Sequence, residues 1–149
     1  MPVKDTRVFG GNGGRPYELY PENSDANVKL LEVWSGWGTK DCKDKWVLKG
    51  IGLTWTDGQH KELYNRIEDD DMYQTFHFPK DTREGSASWD VRSGERVDEL
   101  KFKTKRGVPW VTGGSGGKEE HLADGALVGF HGKASDDIDS LSMRYRILG

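Results

Sequence analysis

An all-β protein with internal repetition is predicted by three features of the sequence. From Leu141 onward the alternation is strict, with Leu141, Met143, Tyr145 and Ile147 on one face and Ser142, Arg144 and Arg146 on the other. That is the period of two expected of a half-buried antiparallel strand. The same phrase recurs after Asp98, as Glu99-Leu100-Lys101-Phe102-Lys103-Thr104, and after Lys49, as Gly50-Ile51-Gly52-Leu53-Thr54-Trp55. The anchors Lys49, Asp98 and Asp139 lie 49 and 41 residues apart, and three such units in one small chain predict approximate threefold symmetry. A glycine run also occurs twice, as Gly10-Gly11-Asn12-Gly13-Gly14 and as Gly113-Gly114-Ser115-Gly116-Gly117.

Taken in order, Thr6–Phe9 reads as a short strand entering the first glycine run, and Arg15–Tyr20 as its continuation. Residues 21–25 form a loop, followed by a strand from Val28 to Trp34. A polar, glycine-containing loop covers 35–45 and holds Trp37, read as a cover for the core, and Cys42, read as inert. The first repeated strand spans 46–56, and Asp57-Gly58 is a strong hairpin signal leading into His60–Tyr64. Asp69-Asp70-Asp71 reads as a solvated connection, the run lacking the spaced partners of a calcium loop. Strands follow near 75–78 and 87–91, then the loop 92–98, the second repeated strand, the second glycine run, a strand over 126–132 and the terminal strand. The count is about a dozen strands and no amphipathic helix.

Composition narrows the function. The 149 residues make one domain, taken as 1–149, that can bury a core without staples. A net charge of −3 with interleaved signs shows neither a nucleic-acid footprint nor a polybasic membrane patch. One cysteine excludes an internal disulfide framework, and the four histidines show no ligand spacing, so no cofactor or metal is expected. Met1 leads into polar residues with no apolar core of a signal sequence. A cytoplasmic location is therefore expected, compatible with a non-classical route of secretion.

An early Gly-Gly-Asn-Gly-Gly loop combined with the late stretch Leu127-Val128-Gly129-Phe130-His131-Gly132-Lys133, followed by Ile138-Asp139 and Leu141, resembles the jacalin-related lectins. The resemblance runs over roughly 7–148 and is weakest at 35–45 and 65–90. It implies a β-prism I, three four-stranded Greek-key sheets with pseudo-threefold symmetry. It also implies a sugar site between the first glycine loop and the last acidic loop, where the family carries Gly-x-x-x-Asp. Here that motif falls on Ser135-Asp136-Asp137-Ile138-Asp139, with serine at its first position, which removes any left-handed conformation needed there. Carried over residue by residue, the site is Gly14, Asp136, Asp137 and Asp139.

Such residues suit a hexose. A carboxylate accepts two hydroxyl donors at once, charge-assisted hydrogen bonds are strong, and bare glycine admits the ring. The repeat adds a second expected site, Gly94, Glu95, Arg96 and Asp98 facing Gly117, where Gly-x-x-x-Asp is intact. The third corner has Lys49 in place of the carboxylate and no glycine run before the strand near Ser86, so it is expected to be dead. The resulting expectation is a non-enzymatic lectin (an agglutinin) for mannose- or glucose-containing glycans, compatible with a homodimer. Galactose is disfavoured because that branch of the family uses a glycine freed by chain cleavage. Two other readings stay open: a glycoside hydrolase using Asp136, Asp137 and Asp139, or a protein-interaction domain on the same prism. Asp98 and Asp139 are also readable as ordinary turn residues that satisfy local backbone N–H groups.

Overall fold

A computed structural model describes residues 2–147; of the span 1–149, Met1, Leu148 and Gly149 lie outside the described residues. Among the described residues, twelve strands make up the fold. In order they are β1 (Val3–Asp5), β2 (Phe9–Gly10), β3 (Arg15–Leu19), β4 (Val28–Trp37), β5 (Trp46–Trp55) and β6 (His60–Tyr64), then β7 (Met72–His77), β8 (Ala87–Ser93), β9 (Val97–Thr104), β10 (Pro109–Gly113), β11 (Lys118–Ala134) and β12 (Ser140–Arg146). Between them lie one 3₁₀ turn at Lys40–Cys42 and one helical turn at Thr82–Gly85. Every described strand pair is antiparallel.

Hydrogen bonding joins these strands into two sheets rather than the three separate four-stranded ones expected. One has four strands in the order β6-β5-β4-β7, and the other has eight, β1-β12-β11-β8-β9-β10, with β2 on β12 and β3 on β11. The difference lies in β11, whose 17 residues run past the length of an ordinary strand. Its first half, Lys118 to Gly125, pairs with β8, and its second half pairs with β12 and β3. The register shifts between His121 and Ala123 and again between Leu127 and Gly129. Such bulges bend a strand, so one continuous strand serves two groups of partners.

The amino-terminal strand is split for a local reason. Thr6 N–H donates to the Met143 carbonyl at 2.9 Å, but Thr6 Oγ1 accepts the Met143 N–H at 3.0 Å and the Ser142 hydroxyl donates to the Thr6 carbonyl at 2.7 Å. Side chains thus replace ladder bonds, and of the strand expected over Thr6–Phe9 only Phe9 is in a strand, residues 6–8 separating β1 from β2.

Two indoles fix the core to the long strand. Trp55 and Trp89 are fully buried, and their N–H groups donate to the Val128 and Gly125 carbonyls of β11 at 2.8 and 3.2 Å. Burying an indole without a partner for its N–H would forfeit much of the gain from its large apolar surface. Phe78 and Phe102 pack on Trp89, and Phe76 and Trp110 extend the cluster through Phe102. Trp37 does not cover core: it is 49% exposed and meets Trp46 edge-on, centroids 5.2 Å apart.

The three repeated units meet directly at one end of the molecule. Val97 N–H donates to the Ile138 carbonyl, and Ile138 N–H to the Leu48 carbonyl, each at 2.9 Å. The residues that follow these three are Asp98, Asp139 and Lys49. The repetition read from the sequence therefore brings its anchors to a common end of the fold.

Candidate functional site

At that end, the two glycine runs face the two aspartates in matching ways. Gly11 N–H donates to the Asp139 carbonyl and Gly114 N–H to the Asp98 carbonyl, both at 2.8 Å. A Cβ placed on Gly13 would sit 2.8 Å from Asp139 Oδ2, and one on Gly116 would sit 2.7 Å from Asp98 Oδ2. The next residue is left-handed in both runs, Gly14 at φ +86° and Gly117 at φ +73°. The acidic loops match too: Ser135 N–H donates to the Asp137 carbonyl and Gly94 N–H to the Arg96 carbonyl, each at 2.9 Å. Neither Ser135 nor Gly94 has a positive φ, so serine at 135 costs no backbone conformation, contrary to the reading of its sequence position.

Each loop pair leaves donors for a ligand. Among the described residues, no acceptor takes the N–H of Gly14, Asp136 or Asp137, nor that of Gly117, Glu95 or Arg96. Gly14, Gly94, Glu95 and Gly117 are exposed and Asp136 is half-buried. A cleft of about 600 Å³ opens beside the first cup, lined among others by Gly14, Tyr17, Lys40, Asn65, Ser135 and Asp136. Tyr17, its hydroxyl donating to the Ser140 carbonyl at 2.9 Å, floors this region, and burial pushes its phenol well above the ordinary range.

The carboxylates themselves are treated differently. Asp139 is only 2% exposed; its Oδ1 accepts the Ser135 hydroxyl at 2.7 Å, and Arg96 Nη1 lies 3.5 Å from Oδ2. Asp137 is fully buried, and its Oδ2 accepts Thr39 N–H at 2.9 Å, Thr39 Oγ1 at 3.0 Å and Arg96 Nε at 2.9 Å. Its side chain therefore holds the loop, and its backbone N–H is the group no described acceptor takes. Arg96, expected beside Asp98, sends its guanidinium to the other cup. Asp98 is 3% exposed, and its carboxylate accepts no hydrogen bond from any described residue. Burial raises its pKa above the ordinary aspartate value, although Lys45, Arg92 and Arg96 pull in the opposite direction. Ser135 and Thr39 were not among the sequence-derived site residues; the Gly-x-x-x-Asp departure at 135 marked the first, whereas Thr39 lies 98 residues from its partner and carried no local signal.

The third corner is built otherwise. The connection that faces Lys49 is 65–71, between β6 and β7, and not the stretch before Ser86. Lys49 Nζ lies 3.2 Å from Asp71 Oδ2, with both side chains 1% exposed. Asp71 thus leaves the solvated acidic run in which its sequence placed it, while Asp69 and Asp70 stay exposed. An ion pair thus stands where the other corners present a carboxylate.

The sequence pattern of the Jacalin-like lectin domain matches residues 6–143. The chain belongs to this family. It is accordingly a jacalin-like lectin domain over residues 6–143. A hydrolase would need two carboxylates flanking a glycosidic bond, and Asp137 is instead committed to Thr39 and Arg96. The fold is shared with the lamprey immune protein at 21% identity and a TM-score of 0.77 over 97% of this chain. The chain spans 44% of that protein's length. It is shared as well with artocarpin in its complex with mannotriose, at 16% identity and a TM-score of 0.76 over 99% of both chains. A mannose-binding lectin from champedak gives 14% identity and a TM-score of 0.70, again over 99% of both. No curated protein matches this jacalin-type chain by sequence.

Proposed function

We propose that this jacalin-type domain binds mannose- or glucose-type glycans, without metal or catalysis, through two cups on one three-sided β-prism. The first is formed by Gly14, Asp136, Asp137 and Asp139, and the second by Gly117, Gly94, Glu95, Arg96 and Asp98. The observation that carries this reading is the duplicated geometry, in which a left-handed glycine, two unclaimed loop N–H groups and a carboxylate meet twice. In each cup, hydroxyls donate to the carboxylate while loop N–H groups donate to the sugar's oxygens.

Titration with methyl α-mannoside and methyl β-galactoside, followed by amide chemical shifts, tests this. The wild type takes up mannoside at two places, each with a Kd on the order of millimolar, about −4 kcal/mol. Asp139→Ala and Asp98→Ala each retain one, and the double variant retains none. Loss of all binding on Asp139→Ala alone defeats the second site.

Binding at the Asp98 cup also depends on pH in a defined direction. Burial favours the neutral acid there, and a neutral carboxyl is a weaker acceptor for hydroxyls. On acidification this cup loses mannoside at a pH above the ordinary aspartate value of 3.8. The folded chain takes up that proton before the unfolded chain does, so this group costs no stability as the pH falls. Mannoside affinity at the Asp98 cup that stays constant down to the ordinary aspartate range contradicts this.

A further inference from the structure

The two cups differ in what already occupies their carboxylates. We infer that Arg96 is a specificity-determining residue that acts as an internal ligand of Asp139, leaving the Asp98 cup the stronger sugar site of the two. This rests on the carbohydrate reading above and ranks the sites within it.

Asp98 is enclosed by the bare glycines of its facing loop, yet no donor of the described residues reaches its oxygens. Neither Asp98 oxygen is sealed from solvent, so a ligand hydroxyl there has only water to displace. At Asp139 the same hydroxyl meets competition. One oxygen already takes the Ser135 hydroxyl at 2.7 Å, and the other faces a guanidinium nitrogen at 3.5 Å. The counterpart of Ser135 in the second cup is Gly94, which has no side chain to offer.

The guanidinium is not free to leave. Arg96 Nε is bonded to Asp137 Oδ2 at 2.9 Å, and Nη1 donates to the Glu95 carbonyl at 3.1 Å. Asp137 is itself fixed by two bonds from Thr39. Arg96 and Asp137 occupy the same position in their respective loops, since each carbonyl accepts from the residue two places earlier. The loop that builds one cup therefore supplies the plug of the other.

The test is a titration of the ¹⁵N-labelled chain with methyl α-mannoside, reading the Glu95 and Gly117 amides for one cup and the Gly14 and Asp136 amides for the other. In the wild type the Asp98 cup saturates at about tenfold lower mannoside, the scale set by losing one charge-assisted contact. Arg96→Gln tightens the Asp139 cup and closes most of that gap. Asp137→Asn, which loosens the guanidinium without altering Arg96, moves the Asp139 cup the same way and guards against a folding defect in the first variant. Simultaneous saturation of both cups in the wild type, or a weaker Asp139 cup in both variants, overturns the ranking while leaving the lectin reading intact. A wild type in which neither set of amides responds to mannoside, glucoside or galactoside overturns both.

Discussion

Lys49→Ala destabilises the fold by about 3–5 kcal/mol, the cost of leaving a buried charge without its partner. The argument starts from Asp71. Its Oδ2 takes the Glu68 N–H at 2.7 Å and Lys49 Nζ at 3.2 Å, while its Oδ1 is buried with no protein donor. Gly36 presses against that second oxygen, leaving no room for the carboxylate to retreat. With the ammonium removed, the residual negative charge stays in a region only 1% exposed. Replacing both members, as Lys49→Met with Asp71→Leu, removes the charge as well as its partner and recovers most of the loss. The two variants and the double are compared by the denaturant midpoint at constant slope. A Lys49→Ala chain within about 1 kcal/mol of wild type would show that water reaches Asp71 and that the corner is open. The pair matters for function because it stands at the corner whose counterparts hold Asp98 and Asp139; a carboxylate at 49 would not by itself restore a cup there while Asp71 remains.

What could be read from the residues follows how local each feature is. The alternation after Lys49, Asp98 and Asp139 is a property of seven consecutive residues, and it placed three strands and their anchors at one end of the fold. The glycine runs were legible for the same reason, since the left-handed turns at Gly14 and Gly117 are demanded by neighbouring backbone. Interactions between loops were not. Arg96 stands two residues from Asp98 in the chain, so proximity assigned it to that cup; its guanidinium crosses to Asp137, 41 residues away. Asp71 is chemically indistinguishable in sequence from Asp69 and Asp70, and only the connection between β6 and β7 aligns it with Lys49. The sheets fell between these cases. Individual strands were legible, but the polar start Lys118-Glu119-Glu120-His121 concealed that β11 continues through two groups of partners.

Gly117→Ala abolishes mannoside binding at the Asp98 cup, an effect of at least about thirtyfold, while Gly58→Ala leaves it unchanged. Both glycines are left-handed, at φ +73° and +90°, so each alanine carries about 1–2 kcal/mol of backbone strain. Their surroundings separate them. Nothing lies within 4 Å of the Cβ position at Gly58, whereas at Gly117 it falls 2.7 Å from the Ser93 carbonyl oxygen and 2.8 Å from Asp98 Oδ1. The backbone cannot yield there without moving β8, because Ser93 ends that strand in register with Lys118. The new methyl also sits against the carboxylate oxygen that a sugar hydroxyl would reach, so the cup loses access even where the loop adapts. Equal thermal shifts with unequal binding would assign the effect to that blocked oxygen; a larger thermal loss in Gly117→Ala would add the clash with Ser93. Retention of wild-type affinity at the Glu95 and Arg96 amides of Gly117→Ala would mean that the sugar approaches from elsewhere, and that the glycine run is a turn and nothing more.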